Sequence, residues 1–311
     1  MRETGFELLP PPESEPRFTV ETFSRPQAEA LPERENEDAV VVLENDEALV
    51  AAALDGATSI GTVTGAASGP GGRFAAQTAI EGIRRQFASA QSSSELLLAA
   101  NRYIADQLRL HGIDADSASP LDLSRASGTA VRIDKARQLV EVSHIGEAAA
   151  LVVHREGMVE SVAPPDAESY DATAIALAQK IAEQRGCSLA EALQNPQIFD
   201  LMKKSQLTDN APDGSGAGVL NGSKNAERYI VTKSWPLGQI KQVLLLTDGL
   251  WLPTKQFGQE PDWQEMAGVI NQRGLAELYR QVTALENDDT DLIKYPRFKK
   301  HDDASGVVIT V

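Results

Sequence analysis

Four acidic sites in this chain stand at the ends of apolar, strand-like runs, a placement suited to metal-assisted chemistry. Asp55-Gly56 follows Ala-Leu-Val-Ala-Ala-Ala-Leu, and Asp248-Gly249 follows Val-Leu-Leu-Leu-Thr. Asp302-Asp303 lies just before Gly-Val-Val-Ile-Thr-Val, and Glu37-Asp38 opens Ala-Val-Val-Val-Leu. Carboxylates gathered at strand ends repel one another, and a divalent cation removes that repulsion. Magnesium and manganese prefer such hard oxygen donors. Two ions roughly 4 Å apart can lower the pKa of a shared water and clamp phosphoryl oxygens. The pattern therefore points to metal-dependent hydrolysis of a phosphate ester. Asp-Gly is also a common turn pair, and spacing alone leaves both readings open.

The elements that must carry these acids follow from periodicity. Residues 1–16, rich in Pro and Glu, read as a flexible leader. Residues 17–23, 38–44 and 48–54 read as strands. A small-residue loop spans 56–72, and a helix is predicted over 73–87. A second helix is predicted over 93–110, with Ser92 and Glu95 at capping-box spacing. Four short strands in 127–162 form an antiparallel meander. Two helices fill 168–205, split near Arg185-Gly186, and the Gly-, Asn- and Ser-rich stretch 209–226 reads as a mobile loop. Strands return at 227–234 and 241–247, helices fill 261–286, and 306–311 is the last strand. Strands in blocks, rather than in strict alternation with helices, predict layered α+β architecture.

Composition narrows the partners. The chain has 311 residues, 42% hydrophobic, with a formal net charge of −16. That surface disfavours nucleic acid and anionic membranes. Cys187 is the sole cysteine, which excludes an internal disulfide and a thiol-rich zinc site. There is no signal-peptide pattern and no apolar run near the ~20 residues of a membrane span, so a cytoplasmic location is expected. His111, His144, His154 and His301 form no HExxH pair, and no GxSxG elbow occurs. His301 reads as a solvated turn residue. Gly214-Ser215-Gly216-Ala217-Gly218 reads as a flexible loop rather than a nucleotide cradle. Lys203-Lys204 and Lys299-Lys300 read as solvated faces.

The order of motifs resembles the metal-dependent Ser/Thr protein phosphatases, the PPM or type 2C family in its bacterial form. The family's opening Glu-Asp motif is similar to Asn36-Glu37-Asp38-Ala39, and its first Asp-Gly motif to Leu54-Asp55-Gly56. Its Ser-Gly-Thr-Thr-Ala strand resembles Ser127-Gly128-Thr129-Ala130, and its Gly-Asp-Ser motif resembles Gly146-Glu147-Ala148. Its Asp-Gly-Leu/Val-Trp motif is similar to Asp248-Gly249-Leu250-Trp251, and its closing Asp-Asn motif resembles Asp302-Asp303-Ala304-Ser305.

The resemblance implies a four-layer αββα sandwich, two antiparallel sheets flanked by helices, within one phosphatase-like domain over 17–311. An insert at about 165–226 would take the place of the family's flap. Two Mg²⁺ or Mn²⁺ ions would sit in a cleft at one end of the sheets. Asp55 would bridge them and Gly56 would offer its carbonyl; Asp248 and Asp302 would bind one ion, Glu37 and Asp38 the other, partly through water. Asp38, Asp55 and Asp248 are thus the expected catalytic residues. A metal-bridged water would hydrolyse phosphoserine or phosphothreonine on a protein, and the chain would act as a monomer. Two other readings stay open: a phosphatase-like regulatory or binding module with reduced catalysis, and a small-molecule phosphatase.

Several positions depart from the family pattern. Ala57 stands where the family often has a His that protonates the leaving group. The Gly-Gly that usually follows soon after is delayed to Gly71-Gly72. Glu33 occupies the place of the phosphate-binding Arg, with Arg34 one step along as the substrate-binding candidate. Glu147 replaces an Asp that helps hold a third ion, so weaker third-metal binding is expected. Asp303 replaces an Asn.

Overall fold

A computed structural model describes residues 18–27, 35–57, 71–162 and 170–311. The described strands form two five-stranded sheets, and every pairing within them is antiparallel. One sheet is ordered β2 (Ala39–Glu44), β3 (Ala48–Ala57), β4 (Arg125–Asp134), β5 (Leu139–Ile145) and β8 (Val231–Pro236). The other is ordered β1 (Thr19–Arg25), β10 (Ala304–Thr310), β9 (Ile240–Leu246), β6 (Ala149–His154) and β7 (Val159–Ser161).

Strand β3 shows why the sheets stack. Its run is apolar at every position from Ala48 to Leu54 because both its faces are covered. Leu49, Ala51 and Ala53 pack with Val243, Leu245, Val307 and Ile309 of the opposite sheet. Val50, Ala52 and Leu54 pack outward, against α1 (Gly72–Gln86) and α2 (Ser93–Leu110). Those helices present Ala75, Ala79, Ile83, Leu97 and Ile104, spaced to make one apolar stripe. Each buried Leu or Ile contributes roughly 1.5–3 kcal/mol by leaving water. On the far side, α6 (Trp263–Arg273) and α7 (Leu275–Asn287) cover the second sheet through Met266, Ile270, Leu278 and Val282. The result is the expected αββα order of layers.

The capping serine before α2 accepts from the Glu95 backbone N–H at 3.1 Å. Helices α6 and α7 are separate because Gly274, at φ +80°, turns the chain between them.

Three expectations need correction. The four strands of 127–162 do not form one meander: β4 and β5 pair in the first sheet, β6 and β7 in the second. The stretch 168–205 holds three helices rather than two: α3 (Tyr170–Arg185), α4 (Leu189–Ala192) and α5 (Pro196–Leu207). Ser188 forms a full capping box that starts α4, and Asn195-Pro196 starts α5. These local signals break a single long period. The stretch 209–226 is tied into the fold rather than loose. Asn210 and Asn221 are buried and bonded to each other at 2.9 Å, and Asn210 both donates to the Val219 carbonyl and accepts from its N–H. Leu220 pairs with Ala126 at the edge of β4. Side-chain amides here supply the backbone partners that a polar, Gly-rich sequence would otherwise find in water. The leader 1–16, Arg34 and residues 58–70 of the small-residue loop lie outside the described residues.

Candidate metal centre

Strand register brings the acids together. Ala39 pairs with Leu54 between β2 and β3, so Asp38 and Asp55 are neighbours at one end of the first sheet. Gly306 pairs with Leu246 between β10 and β9, and the Thr247 N–H donates to the Ser305 carbonyl at 2.9 Å. Asp248 therefore leaves the second sheet beside the segment that carries Asp302. Alternation along β3 turns Asp55 to the same side as Ala51 and Ala53, toward the opposite sheet.

A hydroxyl locks the two sheets together at this edge. Thr247 Oγ1 donates to Asp38 Oδ2 at 2.7 Å and accepts from the Ser305 N–H at 2.8 Å. Asp303 adds a second tie: its carboxylate accepts from the Glu37 N–H at 2.8 Å and the Gln27 N–H at 2.7 Å. Close backbone packing supports the edge. A Cβ on Gly56 would overlap the Glu37 and Gly72 carbonyl oxygens, and one on Gly249 would overlap the Asp303 carbonyl. The delayed Gly72, at the start of α1, thus packs directly against the Gly56 backbone.

The electrostatics are those of acids crowded without enough donors. Burial pushes the Asp38 pKa well above the ordinary range; the Thr247 hydrogen bond opposes this, and Asp248, Asp302 and Asp303 add repulsion. Burial likewise raises Asp55, reinforced by Asp38, Asp302 and Glu147 and opposed by Lys299. Asp248 is raised by burial, then by Asp302, Asp55 and Glu147, again opposed by Lys299. Acids from both sheets therefore share one field, which a divalent cation would relieve.

The sequence profile described as Protein phosphatase 2C matches residues 33–283. The chain belongs to the protein phosphatase 2C family. Solved structures of similar fold include a bacterial serine phosphatase, at 12% identity over 95% of this chain and 98% of that one, with a TM-score of 0.52. The serine/threonine phosphatase Stp1 from Staphylococcus aureus matches at 13% identity over 95% of each chain, TM-score 0.50. RsbX in complex with magnesium matches at 9% identity over 94% of each chain, TM-score 0.50. No curated protein sequence matches significantly.

Within this 2C fold, the donor set suits a hard divalent ion: it is all oxygen, with no thiolate or imidazole among the clustered side chains. Among the described residues, no three His, Cys, Asp or Glu side chains already close on one point, so the acids gather at one end of the two sheets without forming a finished cage. Asp38, Asp55, Asp248 and Asp302 are brought together, with Glu37 adjoining through the backbone. Glu147 is exposed at the rim, close enough for its charge to bear on Asp55 and Asp248. Arg34, the substrate-binding candidate, lies outside the described residues.

Three roles differ from the sequence reading. His301 is buried, not solvated, with Nδ1 2.8 Å from Glu286 Oε2. Lys299 is not merely a solvated face: its ammonium meets Asp302 at 2.5 Å. Asp303 is a structural staple. Thr247 was legible only as part of the Thr-Asp-Gly-Leu-Trp run, and nothing in that run reveals its bond to Asp38.

Proposed function

We propose that the chain is a metal-dependent phosphoprotein phosphatase acting on phosphoserine or phosphothreonine. The observation that carries this reading is the meeting of Asp38 and Asp55 from one sheet with Asp248 and Asp302 from the other, in one repulsive field. Asp55, Asp248 and Asp302, with Asp38, Glu37 and the Gly56 carbonyl, would hold two Mg²⁺ or Mn²⁺ ions, and Glu147 at the rim would give a third a weaker seat. When bound, such ions acidify water and neutralise phosphoryl oxygens. The chain's own contribution is placement: strand ends hold the carboxylates at fixed positions, and Thr247 and Asp303 keep the two sheets from sliding apart.

The insert is proposed to select substrates. Its described part is anchored beside the site: Arg125, opposite Ala57 in the β4–β3 register, pairs with Asp209 at 3.0 Å. A pocket of about 460 Å³ lies between this part and residues 115–123, with Asp116, Asp209 and Asp213 in its lining. With Asp209 paired to Arg125, it is the chain's net charge of −16, with Asp116 and Asp213 in this lining, that favours basic phosphopeptides. No helix among the described residues is long and apolar enough to cross a membrane. A cytoplasmic monomer of one domain is the accompanying proposal.

A regulatory module with reduced catalysis is the second reading, favoured by Ala57 at the end of β3, whose methyl side chain cannot donate a proton. Phosphate release from matched acidic and basic phosphopeptides, with Mn²⁺ and with chelator, tests both. Mn²⁺-dependent release supports the enzyme. Absence of release from either peptide, with Mn²⁺ bound, supports the module.

A further inference from the structure

The acidic edge carries a cation of its own, on a segment built to deliver it. Lys299 Nζ lies 2.5 Å from Asp302 Oδ1. The same charge bears on Asp248 and Asp55, and it is the one basic group among the principal influences on both.

The loop behind it is bolted down. Arg297 donates to the Asp289 carboxylate at 2.9 Å and to the carbonyls of Glu286, Asp289, Tyr295 and Lys300. Asp289 also accepts from the backbone N–H groups of Ile293, Lys294 and Tyr295. His301, between Lys299 and Asp302, is pinned to Glu286 of α7. The backbone at Lys299 is thus fixed from both sides. Its side chain is not, because 49% of its surface is exposed.

We propose that Lys299 is an internal, displaceable counter-ion that competes with divalent metal for Asp302 and its neighbours and so sets the metal affinity of the site. This rests on the metal-binding reading above. A rigid loop with a flexible four-carbon stem allows the ammonium to swing into solvent when a doubly charged ion arrives, without unfolding anything. A lysine ammonium is charged at neutral pH, so a metal ion must overcome both its repulsion and its ion pair with Asp302. In return, the metal-free protein carries less uncompensated charge at its cleft edge.

The test is Mn²⁺ binding to the full chain, read by calorimetry and by electron paramagnetic resonance of free Mn²⁺, with melting temperature in chelator as a second readout. Removing one like charge at contact range should tighten Mn²⁺ binding by about tenfold or more in Lys299→Met. The same variant should melt at lower temperature without metal and regain stability with it. Lys299→Arg, which keeps the charge, should bind as the wild type does, as should the exposed-site control Lys204→Gln. If Lys299→Met does not fold without metal, Lys299→Gln, with a polar head, carries the same expectation. Unchanged or weaker Mn²⁺ binding in the neutral variants, with binding lost in Asp248→Asn, would overturn the counter-ion role alone. No Mn²⁺ binding in wild type or any variant would overturn the metal reading and this inference together.

Discussion

Asp289 is buried in the loop after α7 and Asp248 is half-buried just past the end of β9, and their surroundings are opposite. Burial would raise the Asp289 pKa, but the N–H groups of Lys294 and Tyr295, the Arg297 guanidinium and the Ile293 N–H outweigh it, and the pKa is lowered. Asp248 is raised by burial and further by Asp302 and Asp55. The first acid holds a loop together; the second is tolerated at a cost. The pair teaches that burial alone does not mark a functional acid. What marks it is burial among other acids with too few donors, a condition a fold keeps only where some cation can relieve it.

The same substitution should therefore act in opposite directions at the two sites. Asp248→Asn is expected to lower Mn²⁺-dependent phosphate release by about 100-fold or more, the scale on which metal-site changes act. In chelator it should melt higher than wild type, because a repelling charge is gone. Asp289→Asn should instead destabilise by roughly 3 kcal/mol, since it leaves Arg297 buried beside a neutral partner. Its folded fraction should still turn over substrate. Melting in chelator and phosphate release in Mn²⁺, run on both variants, check this. Shifts of the same sign in chelator would break the comparison.

Sequence made much of the Asp248 kind of site visible and little of the Asp289 kind. Each acidic site adjoins a run such as Ala48–Leu54, whose unbroken apolarity fixes a strand covered on both faces and hence a fixed position for its last residue. Antiparallel pairing of β2 with β3 and of β9 with β10 does the rest. The Arg297–Asp289 knot, the His301–Glu286 pair and the Lys299–Asp302 contact have no comparable sign. They are single polar residues in a loop whose partners depend on how α7 turns back toward β10. Ordering of 209–226 was hidden for the same reason, since Asn210 and Asn221 become loop staples only when the chain brings them together.

Acidity offers a subtler contrast. His144 is 2% exposed, and burial lowers its pKa to about 4 against a hydrogen bond with the Ala148 backbone. In the unfolded chain the value is about 6.5. Between those values the unfolded state takes a proton that the folded state refuses, so stability should fall as pH drops through that window, by up to about 3 kcal/mol. Asp38, Asp55 and Asp248 act the other way. Their folded pKa values are raised, so their contribution is present at low pH and is lost as pH rises through those values. Wild type should therefore lose less stability on mild acidification than Asp248→Asn does, and His144→Gln should remove the loss in both. Urea denaturation at pH 7 and pH 5 reads this out. A steeper acid loss in wild type than in Asp248→Asn would mean that the carboxylates are not raised as described.

Thr247 gives the smallest effect and the finest division between the two kinds of contact. Its hydroxyl belongs to both: it stabilises the sheet edge through the Ser305 N–H and holds Asp38 in place for the cleft. Thr247→Val keeps the shape but leaves a buried carboxylate without that donor. The loss should be about 2 kcal/mol, the usual worth of a hydrogen bond to a charged group. Thr247→Ser restores the hydroxyl and should recover most of it. If the bond matters only for stability, Mn²⁺ affinity will follow the fraction folded. If it also orients Asp38, the Val variant will bind Mn²⁺ more weakly than its folded fraction accounts for, even at temperatures where both variants are fully folded. The second outcome is expected, because Asp38 meets the opposite sheet through this hydroxyl, and a carboxylate released from it is free to turn away from the other acids.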